Sequence, residues 1–344
     1  MTAITFDRAL PRRRVPQWIA IPAVLFVAYA IVPAFGTNYL FEAILLPFLA
    51  LSLAALGLNI LTGYAGQVSL GSAAFMAVGA FAAYNFNLRI PGLPLIASLI
   101  LAGATAAAFG ILFGLPSLRL RGFYLAVSTL AAQFFVKWAL TRFAWLSNYN
   151  SSGVIDAPPL TLFGVRFEGP LGRYLFALTI VVVITAIAAR LVSTRSGREF
   201  IAVRDNEIAA KVLGISIFRT KLLAFGVSSF IIGVAGFLWA FAYLRTVEPD
   251  GFNLDRSFSI LFIIIIGGLA SIRGAFFGAA LIVVFPLVLS RVGALIFGGL
   301  FDSGVLDMSQ RIVIGALIIL FLIAEPKGLV ALWDRLTKGL LARP

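Results

Sequence analysis

The sequence predicts an all-α fold, a polytopic bundle of about ten membrane-spanning helices, and three observations carry that prediction. Hydrophobic residues make up 61% of the 344-residue chain and charged residues 12%, against roughly 45–50% and about 25% in ordinary globular domains. Mean hydropathy is +1.04. The apolar residues fall in runs of about 20, the length that crosses a bilayer core at 1.5 Å rise per residue. A soluble enzyme, a nucleic-acid-binding module and a disordered chain are excluded by that composition. The net charge of +13 is read as Lys and Arg holding loops on the cytoplasmic side.

What is missing narrows the chemistry. The chain has no Cys and no His, which removes disulfides, thiolate chemistry and imidazole acid–base work. No G-x-x-x-x-G-K-[ST] stretch is present, so the chain has no phosphate-binding loop of its own. It is therefore expected to be no enzyme, with no metal or cofactor.

Taken in order, Arg8 and Arg12-Arg13-Arg14 precede the apolar stretch Trp18–Phe35. That stretch is long and lacks an A-x-A cleavage site, so it is read as a retained first helix rather than a signal peptide. The other spans are expected at 39–61, 66–84, 93–115, 122–140, 174–190, 221–243, 258–271, 275–297 and 310–325. Gly267, Gly268 and Gly274 interrupt the late pair, which suggests one broken helix over 258–297. Ten spans put both termini on one side, and the loops of that side hold 18 of the 27 basic residues. The basic excess assigns it to the cytoplasm. The organisation is then a cytoplasmic basic N-terminus (1–16), a membrane domain (17–325) and a cytoplasmic C-terminus (326–344). A turn-rich outer loop (141–173) and an inner loop (190–221) interrupt the membrane domain. Glu42 and Lys137, near outer span ends, read as interface anchors.

The inner loop carries its own helix signal. Asp205 or Asn206 is a suitable N-cap, Glu207 falls in the first turn, and Gly214 is placed to end the helix. Ala209 and Ala210 leave a smooth face, while Ile208, Val212 and Leu213 supply apolar anchors. A short amphipathic helix offered to a partner's groove is an established recognition mode.

The second signal lies within the membrane. Asn59, Gly66, Gln67, Ser69 and Ser72 sit among apolar neighbours, as do Gly267 and Gly268. Small residues allow close helix packing. The functional reading is a translocation path lined where helices break and expose backbone dipoles. An amide facing lipid is costly, which favours Asn59 and Gln67 as lining residues. Residues 66–78 and 268–280 share five identities, among them Gly66/Gly268 and Ala73/Ala275. In segments this rich in small residues that is a faint internal echo.

Three motifs together resemble one family. Ala209-Ala210-x-x-x-Gly214 is similar to the E-A-A-x-x-x-G coupling motif of ABC importer permeases, with Ile208 at the Glu position and Glu207 one residue earlier. The run Arg204–Ile215 with Lys221–Phe225, the segment Gly57–Gly71 and the segment Ile266–Gly274 resemble LivM-type permeases of high-affinity branched-chain amino acid ABC transporters. The resemblance covers about 40–325. Ser72 stands where that family often has His.

The resemblance implies a bacterial inner-membrane permease that carries Leu, Ile, Val or a related small amide-like solute by alternating access. It also implies two cytoplasmic ABC ATPase subunits that hold ATP and Mg, a second LivH-like permease subunit, a periplasmic substrate-binding protein, and surrounding membrane lipid. Residues 205–210, 213 and 214 would then form the ATPase-coupling helix. Urea and short amides are alternative substrates. A self-sufficient secondary transporter or channel is the rival class. It would need ionisable groups in the core or a selectivity filter, and neither is visible.

Overall fold

The computed structural model describes residues 17–117, 123–150, 154–162, 165–297, 312–313, 315–316, 319 and 328–340. The chain runs through helix α1 (17–35), α2 (Leu40–Tyr64), α3 (Ser72–Arg89), α4 (Leu95–Ser117), α5 (Phe123–Arg142) and α6 (Pro170–Ser193). Two short helices follow, α7 (Arg195–Asp205) and α8 (Glu207–Val212). Beyond them lie α9 (Ile217–Leu244), α10 (Leu254–Gly267), α11 (Ile272–Phe297) and α12 (Gly328–Leu340).

Five of these helices are long and apolar enough to cross a membrane: α2, α4, α6, α9 and α11, the last over Ile272–Arg291. The expected spans at 39–61, 93–115, 174–190, 221–243 and 275–297 correspond to them. Other expectations need correction. Residues 66–71 are not helical, and the helix expected over 66–84 starts only at Ser72. The span expected at 258–271 is a 14-residue helix, Leu254–Gly267, only about 21 Å long at 1.5 Å per residue. The expected span 310–325 lies almost wholly outside the described residues, as does the basic segment 1–16.

The core forms where α9 packs against α2, α3 and α4. Almost every residue of Leu46–Asn59 is buried, as expected for a helix with protein on all sides. Pro47 lacks the N–H that would continue the α ladder, and the preceding Leu40–Leu45 widens into a π-helical stretch. The α3–α9 contact is close because Gly79 lies against the backbone of Gly233, where a Cβ would overlap it. In a bilayer, where apolar surface gains nothing by leaving lipid, such close packing supplies much of the association energy.

At the end of the bundle holding Arg173, two-residue strands tie loops together. β1 (Ile155–Asp156) pairs antiparallel with β4 (Thr246–Val247), and β2 (Thr161–Leu162) with β3 (Val165–Arg166). The 141–173 segment is thus fastened to the loop after α9. Glu42 and Lys137 are more than interface anchors, since both are ion-paired. Glu42 accepts from Arg173, whose Nη1 also donates to the Ala242 carbonyl at 3.1 Å, and Lys137 pairs with Asp250 at 2.8 Å.

Candidate functional site

Three segments far apart in sequence meet at one place: the end of α2, the α7–α8 junction, and the turn between α10 and α11. Each ends or starts a helix, so each brings backbone groups without helical partners.

The surface part is α8. Asn206 is the N-cap. Its backbone is extended, and its Oδ1 accepts from the N–H groups of Ile208 and Ala209, both at 3.0 Å. Asp205 instead ends α7, a helix not expected from the sequence. Gly214 has φ +81°, and the Ile215 N–H returns to the Ala210 carbonyl at 3.0 Å, which closes the helix. Glu207 accepts from Lys221 Nζ at 2.5 Å, so α8 is pinned to the start of α9. The two alanines separate. Ala209 is exposed, but Ala210 is only 1% exposed and packs within its own chain. It cannot belong to a smooth face offered outward. Ile208, Val212 and Leu213 are 77%, 82% and 77% exposed. Burying such side chains is worth about 1.5–3 kcal/mol each, so this is an unfilled apolar contact.

The inner part centres on Asn59. Its Nδ2 donates to the Ser271 carbonyl at 2.8 Å and its Oδ1 accepts from the Ala270 N–H at 2.9 Å. The amide thereby satisfies the non-helical turn at 268–271, where Gly268 and Ala270 have φ +120° and +55°. Gly63 lies against the same turn, and a Cβ there would overlap Asn59 Oδ1 and Ala270 N. Gly267, for its part, packs on the Gly274 backbone. Gly66 has φ +70° and packs on the stem of Arg204, whose Nη1 donates to the Gly63 carbonyl at 2.9 Å.

From Gly66 the chain runs non-helically to Ser72, and side chains satisfy much of its backbone. Thr62 Oγ1 donates to the Gln67 carbonyl, and the Leu70 N–H donates to Thr129 Oγ1. Ser69 Oγ accepts from Gly71 N–H. At the start of α3, Ser257 Oγ accepts from Ala73 N–H and donates to Gln133 Oε1. Gln67 Nε2 and Ser72 Oγ are buried and, among the described residues, have no hydrogen-bond partner. Among the described residues, none of Asn59, Gln67, Ser69 and Ser72 lines the apolar clefts bounded by α3–α5, by α4, α6 and α9, or by α11 and α12.

Sequence reasoning grouped Asn59, Gly66, Gln67, Ser69, Ser72, Gly267 and Gly268 as one path. The structure divides them into a turn lock (Asn59, Gly66, Gly267, Gly268) and a polar segment (Gln67, Ser69, Ser72). It adds Arg204 and Lys221, which the sequence marks only as the starts of the resembling runs, together with Thr129, Gln133 and Ser257. Thr129 and Gln133 lie four apart among the mostly apolar residues of α5. That spacing puts both on one face and was a readable signal.

Helices long and apolar enough to cross a membrane, meeting at glycine turns and joined to a capped surface helix with open apolar anchors, are consistent with a membrane permease. The chain belongs to the family described as "Branched-chain amino acid transport system / permease component", whose model matches residues 40–322. It is similar to the high-affinity branched-chain amino acid transport system permease protein LivM of Salmonella typhimurium and to the protein of the same name from Escherichia coli. Each is 34% identical over 298 residues, covering 80% of this chain and 66% of the relative. The chain thus matches just under two thirds of those relatives' length. It is also similar to the autoinducer 2 import system permease protein LsrC of Enterobacter sp., 30% identical over 315 residues and 88% of each chain.

Proposed function

We propose that this chain is the membrane-spanning subunit of an ATP-driven importer for branched-chain amino acids (Leu, Ile, Val) or a related small amide-like solute, working by alternating access. The observation that carries the reading is the open apolar trio Ile208, Val212 and Leu213 on a helix capped by Asn206 and pinned by Glu207. A helix fixed at its N-terminal end, whose apolar anchors no described residue covers, suits a groove on another protein. That partner is a cytoplasmic ABC ATPase subunit, two per assembly, holding ATP and Mg. A second, LivH-like permease and a periplasmic substrate-binding protein complete the complex in the inner membrane. About ten spans, with both termini and residues 190–221 in the cytoplasm, follow from the distribution of basic residues.

Ion-coupled transport is disfavoured. The ion pair formed by buried Arg173 and half-exposed Glu42 lies near two helix starts rather than at mid-helix, which favours a driving energy supplied from outside the chain. Gln67 and Ser72 are the strongest path-lining candidates, since a buried polar group without a partner costs about 1–3 kcal/mol and would gain one from water or solute when the path opens. The similarity to an autoinducer 2 import permease makes autoinducer 2 the second reading for the cargo.

The experiment is co-purification with the ATPase subunits. Ile208→Glu and Val212→Glu should abolish ATPase association and ATP-driven uptake while leaving membrane insertion intact. Retained association with both variants, or uptake by the chain alone driven by an ion gradient, would sink the reading.

A further inference from the structure

Docking at α8 leaves unexplained how displacement of a surface helix reaches the membrane. Arg204, two residues before the Asn206 cap, faces both ways. Toward the surface, its Nε and Nη2 each lie 2.8 Å from Asp205 Oδ1, which sets the plane of the guanidinium. Toward the membrane, Nη1 reaches the Gly63 carbonyl in the last turn of α2. Carbonyls there have no helical partner, and the helix dipole favours a cation. The side-chain stem passes so close to Gly66 that a Cβ on that residue would stand 2.6 Å from Cγ, which leaves little slack. From Gly63 the packing continues to Asn59 and Ala270, and Asn59 holds both Ala270 and Ser271.

Building on the proposed ATPase docking at α8, we propose that Arg204 is the strut that carries movement of the docking helix into both glycine turns at once. It acts directly on 63–71 through the Gly63 carbonyl, and on 268–271 through Asn59. Arginine suits the task because one rigid planar group holds a carboxylate and a carbonyl at a fixed angle, which a lysine ammonium does not. Arg204 acts through the Asp205 carboxylate and the Gly63 carbonyl and is a positioning residue. The linkage is a continuous run of packed and hydrogen-bonded groups, one physical route by which two sites can be coupled.

The test uses the assembled complex in proteoliposomes, with solute transported per ATP hydrolysed as the readout. In Arg204→Ala the ATPase subunits should still co-purify and hydrolyse ATP, while transport per ATP falls about tenfold or more. Arg204→Lys and Gly66→Ala should show the same uncoupling in milder form. Arg204→Ala combined with Asn59→Ala should lose less than the sum of the two, as residues in one network do. An unchanged transport ratio in Arg204→Ala overturns the proposal, and so does loss of ATPase association, which would make Arg204 a docking contact. Should the alanine variant fail to reach the membrane, an unchanged ratio in both milder variants overturns it equally. Failure of the docking reading is separate, since it shows as Ile208→Glu retaining its ATPases.

Discussion

The side-chain amide of Asn59 and the backbone N–H of Ala270 are joined at 2.9 Å across 211 residues. The bond locks the last turns of one buried helix to a tight turn between two others. Its partner bond to Ser271 leaves the amide engaged at both ends. Asn59→Ala would strand a part-buried donor and a part-buried acceptor, each costing about 1 kcal/mol or more. The expected outcome is a loss of about 2 kcal/mol or more, read as a lowered thermal midpoint of the purified protein. A midpoint equal to wild type would show that the turn at 268–271 holds itself.

The Glu207–Lys221 pair should behave asymmetrically. Lys221 is nearly buried and Glu207 about a quarter exposed. Glu207→Ala leaves an ammonium in a largely desolvated place, whereas Lys221→Met leaves a carboxylate that can turn to water. Limited proteolysis within 195–216 should therefore accelerate more in Glu207→Ala than in Lys221→Met. Equal acceleration would place the anchor elsewhere.

Loss of the Asn206 cap is a local event. Asn206→Ala removes the acceptor of two N–H groups and should cost about 1 kcal/mol of helix stability. Hydrogen exchange at Ile208 and Ala209 should quicken about fivefold if that helix opens independently of the core. Exchange in α9 should stay at the wild-type rate.

Gly79→Ala tests the close approach of α3 to α9. The new methyl would be driven into the Gly233 backbone, and overpacking of this kind costs about 1–3 kcal/mol. A lower yield of folded protein and a lower thermal midpoint are expected. A neutral result would show that the two helices can separate without loss.

Some of this molecule was legible because the responsible forces are local. Apolar runs of span length, the N-cap signal around Asn206, and the chain reversal at Gly214 depend only on neighbours a few residues away. A charge excess in loops is likewise a property of sequence order. The helix over Arg195–Asp205 was not legible, because its residues are mostly polar and its stability comes from burying Gly197, Phe200 and Val203.

The sequence by itself determined that the chain is a helical membrane protein with glycine-rich interruptions and a short amphipathic helix between two spans. Only the tertiary structure decided that Ala210 turns inward, that Asn59 holds a turn beyond 200 residues away, and that Arg204 joins the surface to the end of α2. Hydrophobic periodicity and capping are fixed within a helical turn or two. Which polar group satisfies which stranded backbone atom depends on how distant helices come to pack.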